Sequence, residues 1–322
     1  MTGMTTSQPP VLSIGEALID IIATDGAPSL TEARSFVALA GGAPANVAVA
    51  LARLGVPSAF CGVVGADPLG DRLISELRAE GVEVSRLRQT TIAPTTVAFA
   101  WKDARGDGHF WLMRGADLDI SASDADRAGI PGLTALVLGS VSLAAPTSRA
   151  AVLHAVDLAN RAGVPVVFDV NLRPTVWSET DDALGYCESV ARRATIVKLS
   201  LDDAKGLFGP GISAEDACAR VLALGVPSVV LTDGGRGCWY ANAGEEGVHT
   251  LPAFKVDAIE PTGAGDAFAA AIIARAAAAG WQPLLRDDVA FAAAAGALAT
   301  TRHGAWAGLP TPAQLEAFLA SQ

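Results

Sequence analysis

Pro261-Thr262-Gly263-Ala264-Gly265-Asp266-Ala267-Phe268 is the stretch on which the reading of this chain turns. An acidic, turn-forming segment from Asp257 to Pro261 leads into two glycines separated by one alanine. A carboxylate follows, and then a long apolar helical run. Glycine lets main chain approach a ligand closely. The start of a helix offers unpaired N–H groups and the positive end of the dipole, which suits an anion. The amides of Gly263, Ala264 and Gly265 are therefore placed to hold phosphate oxygens, with Asp266 where a hydroxyl would attack. That combination points to phosphoryl transfer to an alcohol. Taken alone, the same residues also read as a plain helix start, with Thr262 or Gly263 as N-cap and Asp266 as a first-turn carboxylate.

The rest of the chain weighs on the first reading. Upstream, Gly41-Gly42-Ala43-Pro44-Ala45-Asn46 opens a second helix, with Pro44 suited to its first turn and Gly55 to its stop. The glycine entry has no side chain to block a small polar ligand, and Asn46 can turn its amide back toward it. Asp20 is a carboxylate between Ile19 and Ile21, either facing solvent or accepting from sugar hydroxyls. From Leu133 onward short β-branched strands alternate with helices, the pattern of a parallel sheet covered on both faces. In such sheets ligands bind beyond the carboxyl ends of the strands. Asp169, Asn171 and Arg173 follow one strand, Lys198, Ser200 and Asp203 the next, and Thr232, Gly234 and Gly237 a third.

Two segments, Pro94 to Trp101 and His109 to Arg114, read as a hairpin across the polar turn Lys102 to Gly108. Val97, Phe99 and Trp101 lie on one face and Ala98 and Ala100 on the other. A small sheet apolar on both faces should cover something on each side: a lid over substrate, and a subunit contact. Arg114, at the hairpin's end, is either a surface arginine or a substrate contact.

Composition narrows the class. The chain has 322 residues, 51% of them hydrophobic, which suits one large α/β domain or two smaller ones. With 23 basic against 34 acidic residues the net charge is −11, which argues against nucleic acid or an anionic membrane as partner. The four cysteines, Cys61, Cys187, Cys218 and Cys238, have neither metal-ligand nor CxxC spacing and read as buried thiols of a reducing compartment. The first ten residues read as a flexible leader without signal-peptide character, so a cytoplasmic protein is expected. No GxGxxG follows the first strand, which sets aside a dinucleotide-dependent oxidoreductase.

From about Val11 to Leu319 the chain resembles the ribokinase-like, PfkB-type carbohydrate kinases. Gly41 to Ala48 resembles one family signature and Thr262 to Phe268 the other. Gly15-Glu16 with Asp20, and the Gly-Gly-Ala-Pro-Ala-Asn form, are most similar to bacterial fructokinases. The resemblance implies a single three-layer α/β/α domain over 11–319, with a mostly parallel central sheet and a small β-sheet lid inserted at about 18–40 and 92–114. It implies Asp266 as catalytic base, Gly263, Ala264 and Gly265 as anion hole, and Arg173 near the transferred phosphate. Sugar would be held by Asp20, Gly41, Gly42 and Asn46. ATP would be held by Lys198, Ser200, Thr232, Gly234 and Gly237, with Ala293, Gly296 and Gly304 along the adenine. Asp203 would help organise Mg2+ through water. Glu260 stands in the region that holds a monovalent cation in relatives; Glu260-Pro261 replaces the commonest Asp-Thr, which bears on any need for K+.

The expected function is ATP-dependent phosphorylation of a sugar hydroxyl, D-fructose first, by a homodimer joined through the lid. 2-Keto-3-deoxygluconate kinase, ribokinase and nucleoside kinase are the rivals within the class; Arg114 keeps the keto-deoxy acid in play because it could hold a carboxylate. A catalytically inactive sugar- or nucleotide-binding regulator is the rival outside it, and the presence of Asp266 speaks against that.

Overall fold

The computed structural model describes residues 8–103, 108–178 and 181–322. The first seven residues of the expected leader, and 104–107 of the expected hairpin turn, lie outside them. In chain order the strands are β1 (Val11–Ile14), β2 (Leu18–Ala23), β3 (Phe36–Gly41), β4 (Ser58–Gly65), β5 (Leu87–Thr90), β6 (Val97–Lys102), β7 (Gly108–Met113), β8 (Ala135–Gly139), β9 (Val166–Asp169), β10 (Ile196–Ser200), β11 (Ser228–Thr232), β12 (Cys238–Asn242) and β13 (His249–Leu251). The helices are α1 (Ala43–Arg53), α2 (Pro68–Ala79), α3 (Ala122–Arg127), α4 (Pro146–Ala162), α5 (Ala183–Ala191), α6 (Leu201–Phe208), α7 (Ala214–Leu222), α8 (Ala264–Ala278), α9 (Arg286–Ala299) and α10 (Pro312–Ala320).

Nine strands form the central sheet in the order β13-β12-β11-β10-β9-β8-β1-β4-β5. All its pairs are parallel except β11–β12 and β12–β13. Side chains alternate across a strand, and here both faces are buried. Val11, Val137 and Val167 face a core built with α1, α8 and α9, whereas Leu12, Leu136 and Leu138 face one built with α4, α5, α6 and α7. That is why these strands read as continuous apolar runs rather than alternating ones. From β1 the chain builds outward to β4 and β5, then returns to the other side of β1 with β8, and the carboxyl ends of the strands around that switch form the rim where a crevice is expected.

The second sheet has four strands in the order β3-β2-β6-β7. Its hairpin β6–β7 pairs Val97 with Met113 and Lys102 with Gly108. Within this sheet the strand that the sequence reading missed is β3, pairing antiparallel with β2 from Leu18↔Gly41 to Ala23↔Phe36; β5, β12 and β13 of the central sheet were not read as strands either. Ser35, Phe36 and Val37 are exposed, so β3 lacks the buried period-two signal that marks a half-covered strand. Phe36, Phe99 and Trp111 pack ring against ring on this sheet, and Phe110, Trp111 and Met113 remain exposed.

The sequence places the end of β10 at Lys198; the strand continues to Ser200. Lys198 is thus an interior residue of a buried strand, opposite Asp169 of β9. Among the described residues no helix is long and apolar enough to cross a membrane.

Candidate active site

The heads of α1 and α8 lie side by side on the rim. Gly42, the residue before α1, has φ 102°, and a Cβ there would lie 2.6 Å from the carbonyl oxygen of Glu16. Gly263, the residue before α8, has φ 83°, and its Cβ would lie 2.6 Å from the carbonyl oxygen of Ala305. Both turns therefore require glycine for conformation and for close approach alike. They bring Asn46 and Asp266 together: Asn46 Nδ2 donates to Asp266 Oδ2 at 2.7 Å, although the two are 220 residues apart.

Asp266 is buried, and that desolvation pushes its carboxyl above the usual range against the lowering influence of Asn46, Lys198 and Arg173. Around it the main-chain N–H groups of Gly263, Gly265 and Asp266 have no protein acceptor among the described residues. The amide of Ala264, which the sequence places in the anion hole, instead donates to Pro261 O at 3.1 Å and closes the turn. Asp266's own amide takes its place among the unpaired donors at the helix head.

Asp20 lies on β2 above Gly41; a Cβ on that glycine would fall 2.1 Å from Asp20 Oδ2. Burial and the like charges of Asp266 and Glu260 push the Asp20 carboxyl up to about 7, with Arg173 opposing. Arg173 itself is exposed, its Nη1 donating to the carbonyl of Leu172 at 3.1 Å. Lys198 reaches the same centre from below: its Nζ bonds Asp169 Oδ1 and Oδ2 at 2.9 and 3.2 Å, and a Cβ on Gly265 would lie 2.9 Å from that nitrogen. Burial pushes Asp169 up to about 6, with Lys198 pulling it back and Asp266 adding to the rise.

Other expected site residues have local duties. Ser200 caps α6 in a reciprocal box with Asp203, whose Oδ2 accepts from Ser200 N at 2.7 Å. Asp203 Oδ1 accepts from Leu172 N at 2.7 Å, so this carboxylate ties the loop after β9 to the head of α6. Thr232 ends β11, and Gly234 (φ 49°) and Gly237 (φ 102°) shape the turn after it. Gly237 is pressed against β13, where a Cβ would lie 2.1 Å from Leu251 O. Ala293 packs on the core of α8 and α9, and Gly296 lets α9 pass within 3.2 Å, from its would-be Cβ, of Ala264 O.

Glu260 Oε2 accepts from Gly304 N at 3.1 Å and faces His303 Nδ1 at 3.2 Å. Burial works against its charge, but bonds from Thr262, Gly304 and His303 hold the carboxyl below its usual value. Gly304 (φ 86°) in turn lies under Leu39 of β3, so the small sheet touches the segment before α10. Arg114 does not stand open: Nε donates to Asp117 Oδ2 at 2.8 Å and Nη1 to Val141 O at 3.0 Å.

Two residues were not singled out for the site by sequence. Glu16 is buried, its Oε2 has no hydrogen-bond partner among the described residues, and desolvation pushes it up to about 7, Arg114 pulling down and Asp117 and Asp266 pushing up. The sequence signal was a charged residue between two apolar strands, which reads as a strand break. Trp306 donates Nε1 to Asn46 Oδ1 at 2.7 Å; nothing local in His303-Gly304-Ala305-Trp306 marks it. Among the described residues no three His, Cys, Asp or Glu side chains converge as a metal cage.

Residues 8–312 match the family described as pfkB family carbohydrate kinase. Fructokinase-1 of Zea mays is 35% identical over 311 residues, covering 95% of this chain and 96% of that protein. The crystal structure of a fructokinase with bound ATP from Xylella fastidiosa superposes with a TM-score of 0.87 at 30% identity, covering 97% of this chain and 98% of that one. A fructokinase from Vibrio cholerae O395 in a fructose-, ADP- and calcium-bound form superposes with a TM-score of 0.82 at 32% identity, covering 97% and 99%.

Proposed function

This chain belongs to the pfkB family of carbohydrate kinases, phosphotransferases acting on a sugar hydroxyl, and from that premise we propose that it transfers the γ-phosphate of ATP to D-fructose. One observation carries the reading: Asp266 stands at the head of α8 among three unpaired main-chain amides, oriented by Asn46.

Asp266 takes the proton of the attacking hydroxyl. Its carboxyl lies above the usual carboxylate range, which makes it a better base than a free aspartate. The transition state is loose, so positioning contributes more than base strength. Asp20 and Asn46 orient the sugar, and Gly41 and Gly42 keep the floor of its site clear. The amides of Gly263, Gly265 and Asp266 face the migrating phosphoryl group, and Lys198 and Arg173 add positive charge beside it. The acidic chain thus makes its positive field locally. The nucleotide lies along Ser200, Thr232 and Gly234, with Ala293, Gly296 and Gly304 toward the base.

Magnesium usually keeps several waters and rides on substrate phosphates with one or two carboxylates, rather than in a protein cage. The residues here fit that mode: both oxygens of Asp203 already accept main-chain amides, which favours contact with the ion through water. When bound it neutralises charge on the phosphates. Glu260 is anchored to 303–304, and a K+ requirement would act through that loop.

Fructose is favoured over the keto-deoxy acid because Arg114 already has a counter-ion in Asp117, while Asp20 and Glu16 would repel a substrate carboxylate. The β2-β3-β6-β7 sheet serves as a lid that excludes water, and its exposed aromatic face joins two copies as a dimer. Four buried, unpaired thiols suit a reducing cytoplasm.

The test is a substrate panel with ATP consumption as readout, run on wild type and Asp266→Ala. Fast turnover on fructose, lost by at least ~100-fold in the variant with thermal stability retained, is expected. Preference for the keto-deoxy acid would replace the substrate, and an active Asp266→Ala would remove the mechanism.

A further inference from the structure

Asn46 holds two bonds at once. Its Nδ2 donates to Asp266 Oδ2 at 2.7 Å, and its Oδ1 accepts from the indole Nε1 of Trp306 at 2.7 Å. A primary amide has one donating and one accepting end, and an indole N–H can only donate. Trp306 therefore fixes which end of Asn46 faces the carboxylate. With the amide turned over, a carbonyl oxygen would point at Asp266, which is repulsive toward an ionised base.

Trp306 is itself held from behind. Its carbonyl accepts from Arg53 Nη1 at 2.5 Å, and the same nitrogen reaches Leu309 O at 3.2 Å. The rest of the Arg53 fork, Nε and Nη2, is paired with both oxygens of Glu80 at 2.7 Å each. One residue earlier, Ala305 presses on Gly263, and before that Gly304 is tied to Glu260. The segment 303–306 thus touches the anion-hole turn at one end and the partner of the base at the other.

We propose that Trp306 is a positioning residue for phosphoryl transfer, acting through Asn46 to keep the amide's NH2 group on Asp266. The proposal rests on Asp266 being the base. Removing the indole N–H frees Asn46 to turn, and Asp266 loses a donor that favours its ionised form. Losing such a donor raises an acid's pKa, so the base becomes available only at higher pH.

The experiment measures kcat and KM against pH for wild type, Trp306→Phe, Asn46→Ala and the double variant, using the acceptor turned over fastest in the panel. Asp266→Asn serves as control. The expected result is an acid limb of kcat moved up by about one pH unit in Trp306→Phe, with turnover below that limb down ~10-fold. Activity should return toward wild type at high pH, the KM for ATP should stay unchanged, and Trp306→Phe should have no further effect on the Asn46→Ala background. An unmoved acid limb, or effects that simply add in the double variant, overturns the proposal. So does a loss confined to ATP KM and thermal stability, which would make Trp306 a packing residue of the 300–309 segment. If Asp266→Asn is inactive while Trp306→Phe keeps its limb, only this inference falls; an active Asp266→Asn brings down the catalytic reading as well.

Discussion

Lys198 Nζ lies 2.9 Å from Asp169 Oδ1, each residue inside a buried parallel strand and each directly across from the other in register. The pair sits under the head of α8, close enough that a Cβ on Gly265 would touch the ammonium. Burying two charges is costly, and removing one partner leaves the other uncompensated. Lys198→Met is therefore expected to destabilise the protein by ~3–5 kcal/mol, measured by denaturant unfolding, and to weaken phosphoryl transfer. The double variant Lys198→Met/Asp169→Leu should recover most of the stability and none of the turnover. Recovery of both would make the pair purely structural.

Gly41→Ala probes the sugar side alone. The new methyl would fall 2.1 Å from Asp20 Oδ2 and 3.0 Å from its Cγ, so the carboxylate must leave its place. The backbone at Gly41 has no positive φ, which keeps conformational strain out of the outcome. A displacement of about 1 Å in a positioning group costs on the order of 100-fold. The sugar's kcat/KM should drop by at least ~10-fold while the KM for ATP holds. Equal losses for both substrates would mean that Asp20 does not touch the sugar.

The sheet and the two helix heads were legible in the chain because their signals are local: β-branched runs alternating with helices, and glycine before a first-turn Asn or Asp. β11, Ser228–Thr232, appears as the residues alone suggest. What stayed hidden depends on partners far along the chain. β12 returns antiparallel to β11 across the tight turn closed at Gly237, and β13 then pairs antiparallel with β12. Ala264 looks like an anion-hole donor until Pro261 is seen to take its amide. Arg114 looks like an open cation until Asp117 folds back on it. Trp306 meets Asn46 across 260 residues, and no spacing rule reaches that far.

Glu16 gives the protein a stability that falls with rising pH. Its folded-state carboxyl lies at about 7 against an ordinary 4.5, so the contribution is complete below pH 4.5 and is lost as pH rises through 7. The whole swing is roughly 3 kcal/mol at 1.36 kcal/mol per pH unit. Asp20 and Asp169, raised to about 7 and about 6, push the same way. Glu16→Gln cannot ionise, so its stability relative to wild type should improve between pH 5 and pH 8, read from denaturant midpoints. A difference that is the same at both pH values would show that Glu16 is not desolvated in the folded state.

Trp111 is the residue on which the proposed dimer can be tested while the groups at the heads of α1 and α8 stay in place. It is 52% exposed on the edge strand β7, on the same face of the sheet as Met113 at 46%, and it stacks on Phe99 with ring centroids 5.7 Å apart. An exposed apolar patch of this kind marks an interaction site, and an uncovered edge strand invites pairing with another copy. Trp111→Glu places a charge in the centre of that face, where burial against a partner would leave it unpaired. Light scattering at micromolar concentration should give a dimer for wild type and a monomer for the variant. Because the lid of a monomer would close without its neighbour's support, the variant's KM for sugar should rise while Asp266, Asn46 and Trp306, all remote from β7 in the chain and seated on α1, α8 and the segment after α9, keep their pH profile. A monomeric wild type would assign the aromatic face to another role.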